Sequence, residues 1–168
     1  MTIESIIEFA DTADPIILKS IMEPQAKYNY AIAEEGLRND YGANIGRTLL
    51  AAYGSTLKTR AKAKAAAGSD ARMSGSSMPV VINSGSGNQG ITLTVPVIEY
   101  AKEYYVSEEK FYRSLTISNL VSIHIKKNIG KLSAFCGAVS AACGAGAAIT
   151  YMIGKDSKAI GDVITSTR

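Results

Sequence analysis

The chain has little of what most catalytic sites are built from. It holds two cysteines and one histidine among 168 residues. Two cysteines are too few for a disulfide framework. The lone His124 follows an apolar stretch, a setting in which histidine is more often a structural residue than a general base. No Ser/His/Asp arrangement, no cluster of metal-ligating residues and no pair of carboxylates at suggestive spacing is present. The net charge of +3 is too small to argue for nucleic acid. The cations Lys58, Arg60, Lys62 and Lys64 alternate with Thr and Ala, as expected of a solvated helix face. No basic segment followed by an apolar stretch opens the chain, so no secretory signal is expected and a cytoplasmic location is. Internal repeats, low-complexity tracts and β-type alternation are absent as well.

What remains is an ordinary globular balance, with 46% hydrophobic and 20% charged residues. The length suits one domain with a real core, residues 1–168. The run Leu132 to Ile153 carries no charge, and about 20 apolar residues can cross a bilayer. The run is built mainly of Ala, Gly, Ser and Cys, however, and lacks aromatic belts at both ends. A helix buried on all sides in a helical protein fits it better, and no membrane partner is expected.

Along the chain, Met1–Ala10 reads as a short helix or arm. Asp14-Pro15 starts a helix, because Asp caps it and Pro suits its first position. Ile17, Ile21, Ala31 and Ile32 are its expected apolar face, Pro24 a kink or break, and Gly36 and Gly42 the next turn. Ala43–Tyr53 forms another helix. Thr56–Ala67 is a strong helix former, with Gly68 expected to end it. Ile91–Tyr105 is long enough to favour helix over strand. Ser107 with Glu108 and Glu109 is a clear N-cap, opening a helix to about Ile125. Asn128–Gly130 reads as a turn before the buried helix, and a weak helix follows around Ile160–Ile164. The expected class is all-α, a compact bundle of about six to eight helices around the small-residue helix.

One segment looks like a site. Residues 83–92, Asn-Ser-Gly-Ser-Gly-Asn-Gln-Gly-Ile-Thr, form a glycine- and serine-rich turn opening onto a helix. The unpaired N–H groups and the dipole of a helix N-terminus favour a phosphate or carboxylate. Gly85-x-Gly87-x-x-Gly90 matches the dinucleotide fingerprint as a string, but the flanks lack the strand and crossover unit that it needs. A tight interhelical turn and a small carboxylate cradle remain. In the cradle reading Ser84, Ser86 and Asn88 add side-chain donors. Arg72, in Ser69-Asp-Ala-Arg-Met73, adds a charged fork. Asp70 orients Arg72 or caps the next element. Cys136 and Cys143 lie about 10 Å apart along a helix, given about 1.5 Å per residue, too far to pair or to share one zinc ion.

Three runs carry a resemblance: Ser69-Asp-Ala-Arg-Met73, the 83–92 segment, and Leu132-Ser-Ala-Phe-Cys136-Gly-Ala. Together they resemble the serine dehydratase alpha-chain-like family, which includes L-cysteine desulfidases and is related to the iron–sulfur L-serine dehydratases. The resemblance spans about Ile16 to Gly154. It implies an all-α catalytic domain whose [4Fe–4S] cluster leaves one iron open to act as a Lewis acid. The reaction implied is α,β-elimination from L-serine or L-cysteine, giving pyruvate and ammonia, with sulfide from cysteine. Cys136 takes the place of a cluster ligand. Ser84, Gly85, Ser86, Gly87, Asn88 and Gln89, with Arg72, take that of the substrate-carboxylate pocket.

The family's N-terminal Gly-Cys-Thr-Glu-Pro motif and its downstream cysteine pair have no counterpart here. The chain therefore looks like the central part of the family's catalytic domain, expected to be inactive alone and to lack the complete cluster. No catalytic residue is assigned. A non-catalytic binding module for small amino acids and a structural or assembly domain are the alternatives. Self-association, or association with complementary segments, is expected from the apolar faces left uncovered.

Overall fold

The computed structural model describes residues 1–130, 136–154 and 156–167. These form eight helices: α1 (Ile3–Thr12), α2 (Pro15–Arg38), α3 (Ile45–Tyr53), α4 (Leu57–Met73), α5 (Gly87–Glu103), α6 (Glu108–Ile129), α7 (Gly137–Met152) and α8 (Ser157–Thr167). Among the described residues there is no strand, only an isolated bridge between Asn83 and Ser86. The all-α expectation holds.

Local chemistry sets most of the starts. Asp14 caps α2 by accepting from the Ile16 N–H at 2.8 Å, with Pro15 at the first position. Thr56 caps α4 and Ser107 caps α6 in the same way. Thr2 and Ser5 form a capping box at α1, which settles the N-terminal segment as a helix.

Two groups of helices share the core. In the first, α4 packs against α2, α3 and α5. Ala65 and Ala71 of α4 meet Ile32, Ala33, Ile91 and Val95. In the second, α7 packs against α5, α6 and α8. Cys143, Ala147 and Tyr151 of α7 meet Ile117, Val121, Ile160, Ile164 and the α1 residues Ile6 and Ala10. Ten of the sixteen α7 residues are buried, as its small-residue composition predicts. Among the described residues no helix is long and apolar enough to cross a membrane. The first part of the predicted buried run, 132–135, lies outside the described residues.

Several local expectations are corrected. Gly36 is no turn residue but lies inside α2, where a Cβ would overlap the Ala67 carbonyl of α4. Gly68 does not end α4, which runs on to Met73. Its role is contact: a Cβ there would come 3.1 Å from Ile91 Cγ2 and 3.2 Å from Ala33 Cα. Pro24 does not break α2. Ile17 and Ile21 are exposed, and the buried face of α2 is Leu18, Gln25, Asn29, Ile32, Ala33 and Gly36. α6 continues through Asn128 to Ile129, and Gly130 (φ 93°) caps it.

The basic run on α4 is not simply a solvated face. Lys64 Nζ reaches Glu34 of α2 at 2.5 Å and Glu99 of α5 at 2.9 Å. Tyr30 Oη donates to Glu99 at 2.7 Å. Arg60 lies 3.5 Å from Glu99 and 2.5 Å from Glu103. Glu99 is only 4% exposed. Its burial alone would raise its pKa, but hydrogen bonds from Lys64 and Tyr30 outweigh this and hold the carboxyl below its ordinary range. Burial pushes the Tyr30 phenol up to about 12.

Candidate functional site

Residues 83–86 make a tight two-residue turn closed by the backbone. The Asn83 N–H donates to Ser86 O at 3.1 Å, and the Ser86 N–H to Asn83 O at 3.0 Å. The central residues Ser84 (φ 49°) and Gly85 (φ 84°) are both left-handed. Glycine takes that conformation freely and serine at a cost. Ser84 Oγ donates to Asn83 Oδ1 at 3.0 Å, so its proton serves the turn.

α5 begins directly after the turn. Ser86 caps it, Oγ accepting from the Gln89 N–H at 3.4 Å, and the Gly90 N–H donates to Ser86 O at 3.2 Å. The N–H groups of Gly87 and Asn88 belong to the first turn, where helix geometry supplies no intrahelical acceptor.

Arg72, in the last turn of α4, reaches this helix end. Its Nη1 donates to Asn88 Oδ1 at 3.2 Å. Its side chain crosses Gly87 so closely that a Cβ there would lie 2.9 Å from Arg72 Cδ and 2.8 Å from Val80 Cγ2. A fixed cation thus stands beside the positive end of a helix dipole, which is the requirement for holding a carboxylate. Asp70 does not orient Arg72. Its Oδ2 accepts from the Ile45 N–H at 2.9 Å and so caps α3.

Gln89 joins this end to a second one. It is 5% exposed, and its carboxamide runs across Gly137, the first residue of α7, where even a methyl group would not fit. Among the described residues the buried Gln89 Oε1 finds no hydrogen-bond partner. Cys136 is the exposed N-cap of α7. Of the predicted residues, Arg72 meets Asn88 and Gly87 at the start of α5, and Gln89 abuts Gly137, one residue after Cys136. Cys143 is fully buried in the core beside α6 and α8, and His124 is half-buried on α6.

The supports of the turn were missed by sequence reasoning. Asn29, fully buried, donates from Nδ2 to Val81 O at 3.0 Å and accepts at Oδ1 from the Val81 N–H at 2.8 Å. Gln25 and Asn119 are likewise buried and lead to Asn83. A signal existed: Leu18, Met22, Gln25, Asn29, Ile32 and Gly36 recur every three or four residues, so the two amides stand on the buried stripe.

The helical fold and this site define the class of protein, an all-α domain with an arginine-flanked helix terminus beside an exposed thiol. The chain belongs to the serine dehydratase alpha chain family, whose pattern matches residues 5–167. A UPF0597 protein of Desulfitobacterium hafniense is 56% identical over 154 residues, covering 92% of this chain and 36% of the relative. Another, of Lachnoclostridium phytofermentans, is 54% identical over 167 residues, covering 99% of this chain and 40% of the relative. A third, of Fusobacterium nucleatum, is 44% identical over 171 residues, again 99% and 40%. The chain thus spans well under half the length of these curated relatives. No solved structure matches it.

Proposed function

We propose that this chain is the substrate-carboxylate part of an amino-acid lyase that converts L-serine or L-cysteine to pyruvate and ammonia by α,β-elimination. Membership of the serine dehydratase alpha chain family supports an amino-acid substrate. The observation that carries the reading is the Arg72 guanidinium, fixed across Gly87 and bonded to Asn88 at the start of α5.

A substrate carboxylate placed there meets the Gly87 and Asn88 N–H groups, the Asn88 amide and the Arg72 fork. This set holds the amino acid by the group that does not react and presents its Cα and Cβ toward the head of α7. Elimination removes the α-proton together with the β-hydroxyl, released as water, or the β-thiol, released as sulfide. The resulting enamine tautomerises to the imine, which water hydrolyses to pyruvate and ammonia.

A [4Fe–4S] cluster of the kind the family resemblance implies takes several cysteine thiolates and supplies Lewis-acid polarisation of the leaving group. In this reading Cys136, exposed at the start of α7, would give one ligand, while Cys143 is enclosed in the core. Among the described residues no group of three or more His, Cys, Asp or Glu side chains comes together. The described residues alone do not fit a complete cluster.

The test is binding by the 168-residue chain. L-serine and L-cysteine should raise the thermal midpoint, ethanolamine, which lacks the carboxylate, should not, and Arg72→Ala should need on the order of 10- to 100-fold more amino acid for the same shift. No stabilisation by either amino acid at millimolar concentration would refute the reading. Binding by this chain, with no pyruvate formed by a relative-length protein reconstituted with iron and sulfide, would leave an amino-acid-binding module instead.

A further inference from the structure

We infer that Asn119, on α6 and remote in sequence from the turn, is a positioning residue that holds the carboxylate-binding turn in its left-handed form. The inference rests on the functional reading above for its consequence, and on a relay of buried amides for its substance.

The relay begins on α2. Gln25 and Asn119 form a reciprocal amide pair: Gln25 Nε2 donates to Asn119 Oδ1 at 3.0 Å, and Asn119 Nδ2 donates to Gln25 Oε1 at 2.7 Å. Leu115 O can only accept, which fixes Nδ2 of Asn119, and the reciprocal pair then fixes the Gln25 amide. Asn119 Nδ2 also donates to Leu115 O at 2.9 Å, and Asn119 Oδ1 accepts from Asn83 Nδ2 at 3.0 Å. Both protons and both lone pairs of the Asn119 amide are thereby used. Asn83 then accepts from Ser84 Oγ, and Ser84 is the non-glycine residue in left-handed backbone at the turn.

All three amides, Gln25, Asn83 and Asn119, are buried. A buried amide without partners is costly, and an apolar residue would pack at position 119 without that risk. The amide is needed because something at the turn must be held. The left-handed Ser84 costs free energy and persists only where its surroundings over-determine it. Asn83 bonds forward to that serine and back to Asn119, so the fixed point lies on α6. The turn has few other anchors, since its backbone bonds are made within itself. Asn29 independently fixes the approach to it through Val81.

The experiment compares Asn119→Leu, which nearly keeps volume and removes every hydrogen bond of the side-chain amide, the weak one to Met22 Sδ included, with Thr116→Val. Thr116 is buried one turn away and, among the described residues, its side chain bonds within α6, to Tyr112 O at 2.9 Å. Thr116→Val is therefore a destabilised control that leaves the turn untouched. Amide hydrogen exchange, resolved residue by residue, and L-serine affinity are measured in both. We expect Asn119→Leu to speed exchange of the Ser86 amide at least tenfold relative to the α8 amides and to weaken L-serine at least tenfold, and Thr116→Val to do neither. Wild-type exchange at the turn in folded Asn119→Leu overturns the inference. If Asn119→Leu does not fold, Asn83→Ala cuts the same relay from the turn side and is judged by the same exchange criterion. A wild-type chain that binds no amino acid refutes the functional reading alone, because the exchange comparison still decides the positioning role.

Discussion

Gly90→Ala and Gly161→Ala are the same substitution in helix interiors, and they should move stability in opposite directions. At Gly161, in α8, a Cβ meets nothing within 4 Å. Replacing glycine by alanine there gains helix propensity of about 0.5–1 kcal/mol. At Gly90, in the first turn of α5, a Cβ would fall on the Val81 carbonyl oxygen, far inside the 3.0 Å that real Cβ contacts keep, and 3.2 Å from Asn29 Nδ2. Val81 must move away, and with it go both hydrogen bonds to buried Asn29. Overpacking costs about 1–3 kcal/mol, and stranding the buried amide about 1–3 kcal/mol more. The propensity gain offsets about 1 kcal/mol of this, leaving a net loss of about 3 kcal/mol. In a chain of this size 1 kcal/mol shifts the melting temperature by about 2–4 °C. Gly90→Ala should therefore melt about 6–12 °C below wild type and Gly161→Ala about 1–4 °C above it. Thermal and urea unfolding followed by circular dichroism measure both. A Gly90→Ala chain as stable as Gly161→Ala would refute the claim that the 79–83 segment is pinned against α5.

Three further outcomes follow from the same geometry. Arg72→Lys, which keeps charge but loses the fork, should weaken L-serine on the order of 10-fold, and Arg72→Ala on the order of 10- to 100-fold. Calorimetry should show both losses with the melting temperature nearly unchanged. Glu99→Gln should cost about 1–3 kcal/mol at neutral pH, because Lys64 and Arg60 lose their shared buried carboxylate while keeping Glu34 and Glu103. The Glu99 carboxyl is held below its unfolded value of 4.5, so its contribution is present above pH 4.5 and lost as pH falls through the lower folded value. Denaturant midpoints taken from pH 7 downward should fall more steeply in wild type than in Glu99→Gln. In the native chain one thiol, Cys136, should react promptly with a thiol-specific chromogenic disulfide. Fully buried Cys143 should react only on unfolding, and Cys136→Ser should abolish the fast phase.

The helix starts were legible because capping is local. Asp14-Pro15 and Ser107-Glu-Glu each specify their own turn. The turn at the candidate site was legible for the same reason, since its glycines and serines lie in one stretch of chain. That Arg72 reaches it followed from its ending a helix near the turn, not from any pattern. Misreadings came wherever a partner from elsewhere in the chain decides. Gly68 and Gly36 resemble helix ends in isolation, but they are the places where α4 meets α5 and α2. Ile17 and Ile21 look like core until the opposite face of α2 proves to carry Gln25 and Asn29, which are buried because the turn needs them. Lys64 looks solvated until Glu99 and Glu34 arrive from two other helices.

The alanine-rich α4 has a consequence for precision. Its buried contacts are Ala61, Ala63, Ala65, Ala67 and Ala71, side chains too short to absorb displacement by changing rotamer. The helix therefore moves as a rod about 25 Å long, at about 1.5 Å per residue. Its Arg60 and Lys64 are tied to Glu99, and its far end carries Arg72 to the site. Arg72 lies about 12–18 Å along the rod from Arg60 and Lys64, so rotating it by about 5° about them displaces Arg72 by about 1–1.5 Å, more than the tolerance of a hydrogen bond. The charged clamp is thus a fulcrum: where it seats α4 decides whether the guanidinium at the far end lies within reach of Asn88 and the head of α5.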